Sequence, residues 1–365
     1  MARILFIILK KFETRIMKRK ILLTFLIAVL SVASYSQSKK KTYNIRTIAF
    51  YNVENLFDTI NDPRKFDDDR TPTGKDKYTS KVYWDKIDKL SKVISEIGLE
   101  NAKTSPALIG VCEVENMAVL EDLVASDKLK DSYYGIAHYD SPDERGIDVA
   151  LLYQKRYFKP ISQSKHPLYL YDDGKRDYTR DQLLVSGLLD GELIHVIVNH
   201  WPSRSGGEAK SRPKRNAAAE VNKKIIDSLQ KIDPAAKIIT MGDLNDDPDS
   251  PSVKDILNAK EKKANVKRET GLYNPMADMH RRGLNTLAYR DGLNLFDQII
   301  FTQPFLEDDF DSYRFYKAGI FNKRYLITES GQYKGYPFRS YSYNTYMGGY
   351  SDHFPVYIYL IKEKK

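Results

Sequence analysis

The feature that most constrains this chain is a set of five short polar clusters, each of which follows or opens an apolar, β-rich run. The clusters are Asn52-Val53-Glu54-Asn55, Glu113-Val114-Glu115-Asn116, Asn199-His200, Gly242-Asp243-Leu244-Asn245 and Ser351-Asp352-His353. Because strand ends can meet at one rim of a sheet, the clusters are expected to converge there. The sequence therefore predicts a sheet-based fold with one polar site at its rim.

The side chains of these clusters suit a metal-assisted phosphoryl-transfer site. Hydrolysis of a phosphate ester needs a hard cation held by oxygen ligands, an oriented water, and donors for the charge that develops on the phosphate oxygens. Asp and Glu residues supply the ligands, and Asn and His residues supply the donors. One such cluster is common in ordinary turns, so the inference depends on the presence of all five.

The N-terminal segment accounts for most of the positive charge of the chain. The 365 residues carry a formal charge of +9, but residues 1–36 contain seven basic residues and one acidic residue. The remainder has 51 basic and 48 acidic residues, which is a formal charge of +3. The overall charge is therefore no argument for nucleic-acid binding, and an apolar content of 42% is enough for a large core.

The same segment has the pattern of a secretory signal. The basic run Met17-Lys18-Arg19-Lys20 precedes the apolar residues 21–32, and Ser34 and Ser36 predict cleavage before Gln37. The first sixteen residues are interpreted as an upstream extension. A membrane anchor is the alternative, but the apolar run is short for a span. We expect a soluble, periplasmic or extracellular protein that has no stable membrane insertion after cleavage.

The apolar patterns predict strands that alternate with helices. Strands are predicted at residues 45–51, 107–112, 147–153, 183–189, 193–198, 237–241, 295–301 and 354–361, and helices at 85–97, 117–125 and 209–229. Asp190-Gly191 is a hairpin signal. Many strands and few helices favour an α+β fold in which two mixed β-sheets lie face to face with helices on the outside. A single domain is predicted over residues 42–363.

Two polar stretches, residues 61–83 and 259–284, are interpreted as surface elaborations of this domain. The first contains Asp67-Asp68-Asp69, which is interpreted as a solvated loop rather than a second metal site.

The order of seven motifs resembles the endonuclease/exonuclease/phosphatase superfamily, which includes pancreatic-type deoxyribonucleases, abasic-site endonucleases, neutral sphingomyelinases and inositol polyphosphate 5-phosphatases. The motifs are NVEN, CEVEN, RGIDVALLY, VNHWPSR, GDLNDDP, LFDQIIF and SDHFPV. Gly-Asp-x-Asn together with Ser-Asp-His is the most specific pair. The resemblance implies a four-layered α/β sandwich, dependence on a divalent metal and hydrolysis of phosphoester bonds, most nearly as in the secreted bacterial nuclease and phosphodiesterase branch.

The resemblance also implies a metal site. Asn52 and Glu113 match the family's metal-binding Asn and Glu, and Asp352 matches a carboxylate on the metal side. Glu115 competes with Glu113, but Glu113 directly ends the apolar run. Cys112, the only cysteine, stands where many relatives carry Gln and is interpreted as a core residue. The expected cofactor is Mg²⁺, with Mn²⁺ or Ca²⁺ as alternatives.

Five residues match catalytic positions of the family. Asp243 matches the acid that positions or deprotonates the attacking water, and Asn245 matches the amide that holds a phosphate oxygen. His353 matches the imidazole that donates to the phosphate or stabilises the transition state, and Asp297 matches the carboxylate that fixes the tautomer of that imidazole. His200 matches the second active-site histidine of the deoxyribonuclease and sphingomyelinase branches.

Three further residues are candidates for substrate binding. Asn199 belongs to the same cluster as the second histidine. Arg145 either clamps a phosphate through two hydrogen bonds or forms an ion pair within a loop. Arg204 lies in the segment VNHWPSRSGGE, which resembles extracellular bacterial nucleases, and together with Arg212 and Arg215 it predicts a groove for a polyanion.

The C-terminal third contains nine tyrosines between Tyr313 and Tyr350, interleaved with basic residues. This pattern is typical of surfaces that stack unpaired bases or sugars, and equally of an exposed, tyrosine-rich hairpin.

Three functions fit these observations. The leading hypothesis is an exported nuclease, a metal-dependent phosphodiester hydrolase that uses an activated water. The alternatives are a phosphatase or phospholipase-type hydrolase of small phosphate esters or phospholipid head groups, and a catalytically inactive phosphate-binding or polyanion-binding protein on the same scaffold. The expected partner is nucleic acid or another phosphodiester. No protein partner is expected, so the chain is predicted to be a monomer.

Overall fold

The computed structural model describes residues 1–35, 41–268, 270–290 and 292–364. The chain divides into two compact units, one of residues 1–43 with the C-terminal residues and one of residues 44–363. In the first unit, α1 (Ala2–Tyr35) is one continuous helix. Nowhere in the described ranges does a helix combine the length and the apolar content that crossing a membrane requires. The predicted cleavage site before Gln37 lies outside the described residues.

The first large sheet has six strands. They are β1 (Tyr43–Leu56), β2 (Leu108–Val114), β3 (Tyr134–His138), β4 (Asp148–Gln154), β16 (Arg314–Ile320) and β19 (Val356–Glu363). Their order across the sheet is β16-β19-β1-β2-β4-β3. The sheet is mixed, because β1 and β2 are parallel whereas β2 and β4 are antiparallel. The central strands are nearly continuous runs of buried apolar residues, as expected for strands that are covered on both faces.

The second large sheet has seven strands. They are β5 (Phe158–His166), β8 (Gln182–Leu189), β9 (Glu192–His200), β10 (Ile238–Asp243), β11 (Ala259–Lys260), β12 (Leu272–Tyr273) and β15 (Asp297–Thr302). Their order is β11-β12-β15-β10-β9-β8-β5. This sheet is mixed as well, since β9 and β10 are parallel and β10 and β15 are antiparallel.

The two sheets pack face to face around the main hydrophobic core. This core takes buried side chains from both sheets, among them Ile48, Leu108, Val196, Ile239 and Ile299. Helices α2 (Ser80–Glu96) and α4 (Met117–Ala125) share a second core with the six-stranded sheet, and α5 (Glu208–Ile232) shares a third core with the seven-stranded sheet. Each fully buried Leu or Ile contributes about 1.5–3 kcal/mol through burial. The arrangement is the expected four-layered α/β sandwich.

The remaining elements are short. They are the helices α3 (Leu99–Ala102) and α6 (Met276–Arg281) and the hairpins β6–β7 (Leu170–Asp172, Lys175–Asp177), β13–β14 (Leu287–Tyr289, Gly292–Asn294) and β17–β18 (Tyr341–Ser342, Thr345–Tyr346). The last two hairpins matter for the cavity described below.

The predicted strands and helices form, with ends that shift by a few residues. The hairpin at Asp190-Gly191 joins β8 to β9, and both turn residues have the left-handed backbone of this turn type, with φ of 46° and 85°. Strands β3, β5 and β16 were not predicted. β5 is an edge strand whose sequence is mostly polar and exposed, so it lacks the apolar run of a central strand.

The interpretation of residues 259–284 as a surface elaboration is wrong, because β11 and β12 in this stretch extend the seven-stranded sheet. Residues 61–83 are also more than a surface loop, since Tyr78 in this stretch is fully buried. The aspartate run is not uniformly solvated either, because Asp67 is buried and accepts the backbone N–H of Asp62 at 2.9 Å.

Candidate active site

The strand register of the seven-stranded sheet brings three polar residues into one row. His200 ends β9, Asp243 ends β10 and Asp297 begins β15. Asp243 is directly opposite His200 on one side and Asp297 on the other. Directly opposed residues point to the same face of a sheet, so the three side chains lie side by side at the rim.

Irregular strand pairing in the six-stranded sheet redirects acidic side chains towards this rim. The register shifts near the ends of β1 and β2. At these shifts Glu54, Asn55 and Glu113 have left-handed backbone, with φ of 50°, 55° and 62°. Such a conformation costs on the order of 1–3 kcal/mol for a residue other than glycine, and bulges of this kind re-aim side chains. The carboxylate of Glu113 consequently accepts the backbone N–H of Asn55 at 3.0 Å.

Contacts between the two sheets join the clusters. Nδ2 of Asn52 on β1 donates to Oδ2 of Asp243 at 3.1 Å. Oγ of Ser351 donates to the carbonyl of Asn52 at 2.7 Å and accepts the N–H of His353 at 3.0 Å. Nε2 of His353 and Nε2 of His200 lie 3.8 Å and 3.7 Å from Oδ2 of Asp243. Four of the five sequence clusters therefore meet around one buried carboxylate.

Asp297 holds His353 in one orientation. Nδ1 of His353 lies 2.7 Å from Oδ2 of Asp297, and both side chains are buried. Burial alone lowers the pKa of His353, but the carboxylates of Asp297 and Asp243 outweigh burial and raise this pKa well above its usual value. At neutral pH the ring is therefore an imidazolium that donates from Nδ1 to Asp297 and presents Nε2–H to the site.

The other two titratable groups have complementary protonation states. Burial lowers the pKa of His200 well below its usual value, and the positive charges of Arg180 and Arg145 act in the same direction. Burial raises the pKa of Asp243 to about 6. At neutral pH the site therefore combines a charged imidazole, a neutral imidazole and a carboxylate, which is the separation of acid and base that hydrolysis requires.

Residues 47–362 match the model of the Endonuclease/Exonuclease/phosphatase family. The chain belongs to the endonuclease/exonuclease/phosphatase family. No curated protein has a sequence that matches it.

Solved structures of this family share the fold at low sequence identity. D. rerio TDP2 complexed with a single-strand DNA product has 12% identity and a TM-score of 0.51, over 87% of this chain and 98% of that one. An endonuclease/exonuclease/phosphatase family protein from Bacteroides thetaiotaomicron has 14% identity and a TM-score of 0.51, over 88% and 97%. The mannosyl-6-phosphatase of B. thetaiotaomicron has 15% identity and a TM-score of 0.53, over 86% and 99%.

The Gly-Asp-x-Asn motif of the family has a steric explanation in this chain. A Cβ atom on Gly242 would lie 2.4 Å from the carbonyl oxygen of Asn199, because β9 and β10 approach closely there. Two residues later, Asn245 has left-handed backbone with φ of 50°, its N–H donates to Oδ1 of Asp243 at 3.0 Å, and its Nδ2 donates to the carbonyl of Trp201 at 3.0 Å. These bonds hold the Asn245 amide beside the carboxylate of Asp243.

We expect Gly242→Ala to lower the free energy of unfolding by about 1–3 kcal/mol, because the added methyl group must push apart two backbone segments rather than a flexible side chain. Urea unfolding followed by fluorescence gives this difference. Wild-type stability in the variant would mean that β9 and β10 can separate freely at the site.

The carboxylates at the rim fit a hard divalent cation such as Mg²⁺. One oxygen of Glu113 accepts the N–H of Asn55, and the other faces Nε2 of His200 at 3.8 Å, which is beyond hydrogen-bond distance and leaves this oxygen available. Asp352 is half-buried and pairs with Arg339 at 2.8 Å. Asn52 is more constrained, because its Oδ1 accepts the N–H of Glu54 at 2.9 Å and has only its second lone pair left. Of the three predicted ligands, Glu113 therefore has an oxygen left for the ion, whereas Asn52 and Asp352 each have a protein partner. Beside them, the ligand atoms of Asp243, Asp297 and His353 lie within 4.8 Å of one another.

Two buried titratable side chains, Glu54 and Lys86, bond to Ser340 on the Asp352 side of the site. Glu54 accepts the backbone N–H groups of Ser340 and Tyr341 at 2.6 and 3.1 Å, and the fully buried Lys86 donates to Oγ of Ser340 at 2.8 Å. Burial raises the pKa of Glu54 to about 7 and lowers the pKa of Lys86 to about 8. These bonds hold the backbone of Ser340, the residue next to Arg339.

The three residues predicted to bind substrate have different environments in the structure. Asn199 is fully buried, and its Nδ2 donates to Oγ1 of Thr240 at 2.8 Å and to the carbonyl of Met241 at 3.0 Å. Arg204 bonds to the carbonyl of Asn245 at 2.9 Å, so it supports the loop after β10. Arg145 is close to half exposed near His200, with Nε 3.7 Å from a carboxylate oxygen of Asp143. Only Arg145 is thus placed to reach a phosphate.

The groove of arginines suggested by the sequence is not formed by Arg215. This side chain is fully buried, and its Nε donates to Oδ1 of Asp246 at 2.6 Å. Arg212 lies on the exposed side of α5 and pairs with Glu208 at 2.6 Å.

Sequence reasoning missed Arg180, which lies beside the site. Its guanidinium is buried, donates to the carbonyl of Trp201 at 2.6 Å and to Asp143 at 3.1 Å, and lowers the pKa of His200. The signal was available, because Thr179-Arg180-Asp181 directly precedes β8 just as the other clusters adjoin strand ends.

Proposed function

We propose that this chain is an exported, Mg²⁺-dependent phosphodiesterase that cleaves nucleic acid with an activated water. The observation that carries the proposal is the contact of Asp243 with a His353 that Asp297 keeps protonated. A carboxylate that takes a proton beside an imidazolium that donates one is the pair that phosphodiester hydrolysis needs.

Each residue has a defined task in this proposal. Mg²⁺ held by Glu113 and Asp352 would supply Lewis-acid stabilisation of charge on the phosphate. Asp243 orients the attacking water and accepts its proton. Nε2–H of His353 and the second amide hydrogen of Asn245 donate to phosphate oxygens, and their preorganisation lowers the barrier because they need no reorientation during the reaction.

The two alternatives predict different outcomes. A small-ester phosphatase or phospholipase-type hydrolase uses the same chemistry on another substrate. The fold is common to both kinds of enzyme, since similar structures include a mannosyl-6-phosphatase and a TDP2 with a DNA product. An inactive binding protein would be expected to lack part of the machinery. None of the family's catalytic motif residues is missing from this sequence, and this supports an enzyme.

A substrate panel tests the proposal. Plasmid DNA, single-stranded DNA, RNA, bis-nitrophenyl phosphate, sphingomyelin and inositol or sugar phosphates are incubated with and without excess chelator, and Asp243→Asn serves as the inactive control. We expect metal-dependent cleavage of nucleic acid that the control lacks. Turnover confined to phosphomonoesters would favour the phosphatase, and binding without turnover would favour the inactive protein.

The exported form is expected to start at Gln37, because the basic run, the apolar run and the two serines align as a signal. Mass spectrometry of protein from the native cell envelope or medium should detect no peptide that precedes Gln37. Recovery of the Met1 or Met17 terminus from the cytoplasm would contradict export.

A further inference from the structure

A cavity of about 750 Å³ adjoins the candidate active site. Asp352 and Arg339 line one part of it, and the rest lies between the β13–β14 hairpin and residues 328–347. Its volume is within the range of about 300–1,000 Å³ that small-molecule sites occupy. Because Asp352 belongs to the candidate metal site as well, a group bound in the cavity can be part of the same substrate as the phosphate.

Tyrosine rings form much of the cavity wall. Tyr289, Tyr333 and Tyr343 line it and are 63%, 38% and 90% exposed. Tyr336 also lines it, with its ring centroid 5.6 Å from that of Tyr333. Large exposed aromatic surfaces have an unfavourable contact with water, so rings gathered around one cavity are typical of a binding site.

Four other tyrosines of the same region have structural tasks. Tyr313 and Tyr341 are buried, and the hydroxyls of Tyr325 and Tyr346 bond to Glu96 and to an aspartate of α2. The fold has therefore separated one tyrosine-rich sequence into a packed group and an exposed group.

The charges of the cavity favour a phosphorylated, flat ligand. Arg290 and Arg339 line it, and Arg290 lies over the ring of Tyr289 at 5.2 Å. Among the described residues of the wall, Asp352 supplies the only carboxylate, and Arg339 already pairs with it. The wall also holds the amide of Gln332 and the hydroxyls of Thr328 and Ser342, which can bond to the edge of a base whose face stacks on an aromatic ring.

We infer that this cavity binds an unpaired nucleobase of the strand whose phosphodiester lies at Asp243 and His353. The inference rests on the proposed function and adds a substrate class to it. A base within a duplex has both faces covered by its neighbours and cannot enter, so the site selects single-stranded over double-stranded substrate. Tyr289 and Tyr343 provide the most exposed stacking surfaces, and Arg290 provides a cation for an adjoining phosphate.

Binding is measured first, by fluorescence anisotropy in excess chelator so that nothing is cleaved. The probes are a labelled single-stranded DNA, its duplex, and a strand of equal length with abasic sites. Wild-type protein should bind the single strand at least about 5-fold more tightly than either of the others. The variant Tyr289→Ala/Tyr343→Ala should lose about 5- to 100-fold in affinity for the single strand and little for the abasic strand.

Two matched variants separate stacking from structural damage. Tyr289→Phe/Tyr343→Phe keeps the rings and should retain wild-type affinity. Tyr316 lies on β16, is 56% exposed and does not line the cavity. Tyr316→Ala should therefore leave the affinity for the single strand unchanged. Equal losses on intact and abasic strands, or a wild-type preference for duplex, would overturn the inference.

Cleavage is then measured on the same three DNAs with Mg²⁺, and this separates the inference from the proposed function. Preferential binding of the single strand without cleavage would refute the nuclease proposal and retain the base site. Cleavage of all three DNAs with equal kcat/KM, and without loss in Tyr289→Ala/Tyr343→Ala, would retain the nuclease and refute the base site.

Discussion

Glu113→Gln is expected to lower turnover by roughly 10²-fold or more while leaving the fold intact. The substitution replaces a charged oxygen ligand by a neutral amide, and hard divalent cations depend on ligand charge for affinity. The amide keeps an acceptor for the N–H of Asn55, so the left-handed backbone at the end of β2 is not disturbed. Steady-state rates over a titration of Mg²⁺ give both the loss and the change in metal requirement.

Glu115→Gln is the matched control for this prediction. Glu115 lies two residues further along the chain, and its carboxylate accepts the N–H of Asp58 at 2.6 Å. This variant should keep near wild-type turnover. A severe loss in Glu115→Gln together with normal rates in Glu113→Gln would exchange the assignments of the two acids, and full wild-type turnover in excess chelator would refute the metal site.

His353→Ala is expected to reduce turnover by roughly 10²-fold or more, because it removes the imidazolium that donates to the phosphate. Asp297→Asn should cause a milder loss, since the ring remains and the amide oxygen still accepts from Nδ1. The diagnostic measurement is the dependence of kcat/KM on pH. Asp243 must be deprotonated, so the rate rises as pH increases through its pKa of about 6.

On the alkaline side of the same pH profile, kcat/KM should fall as His353 loses its proton. The raised pKa of His353 keeps the ring protonated until the pH exceeds that pKa. Asp297→Asn removes the carboxylate that contributes most to this increase, so the alkaline limb should move to lower pH. Asp243 and His353 titrate as an interacting pair, so the two apparent pKa values of the profile belong to the pair. An unchanged profile in Asp297→Asn beside an inactive His353→Ala would contradict the pairing. The double variant Asp297→Asn/His353→Ala should have the same turnover as His353→Ala alone. Additive losses of turnover would place the two residues in separate sites.

The sequence alone indicated the central strands, the main helices and the polar clusters that meet at the rim. Apolar runs indicated the central strands, because those strands are covered on both faces. The polar clusters indicated the strand ends, where the chain leaves the core. The resemblance of Gly-Asp-x-Asn and Ser-Asp-His to the family's motifs pointed to Asp243, Asn245 and His353 as site residues. Local pattern carries this information because it records which residues are buried and which adjoin strand ends.

The tertiary structure decided which of the remaining polar residues face the site. Among the described residues, Arg145 has only Asp143 of its own loop as an ion-pair partner, at 3.7 Å, and it stays close to half exposed. The residues next to Arg215 do not show that it is buried, because its partner Asp246 lies 31 residues further along the chain. The same holds for the tyrosines of the C-terminal third, where burial depends on helices and strands more than 200 residues away, as in the bond between Tyr325 and Glu96. Sequence records the side chains that are available, and only packing between distant segments determines which of them are already satisfied within the protein and which remain free for a substrate.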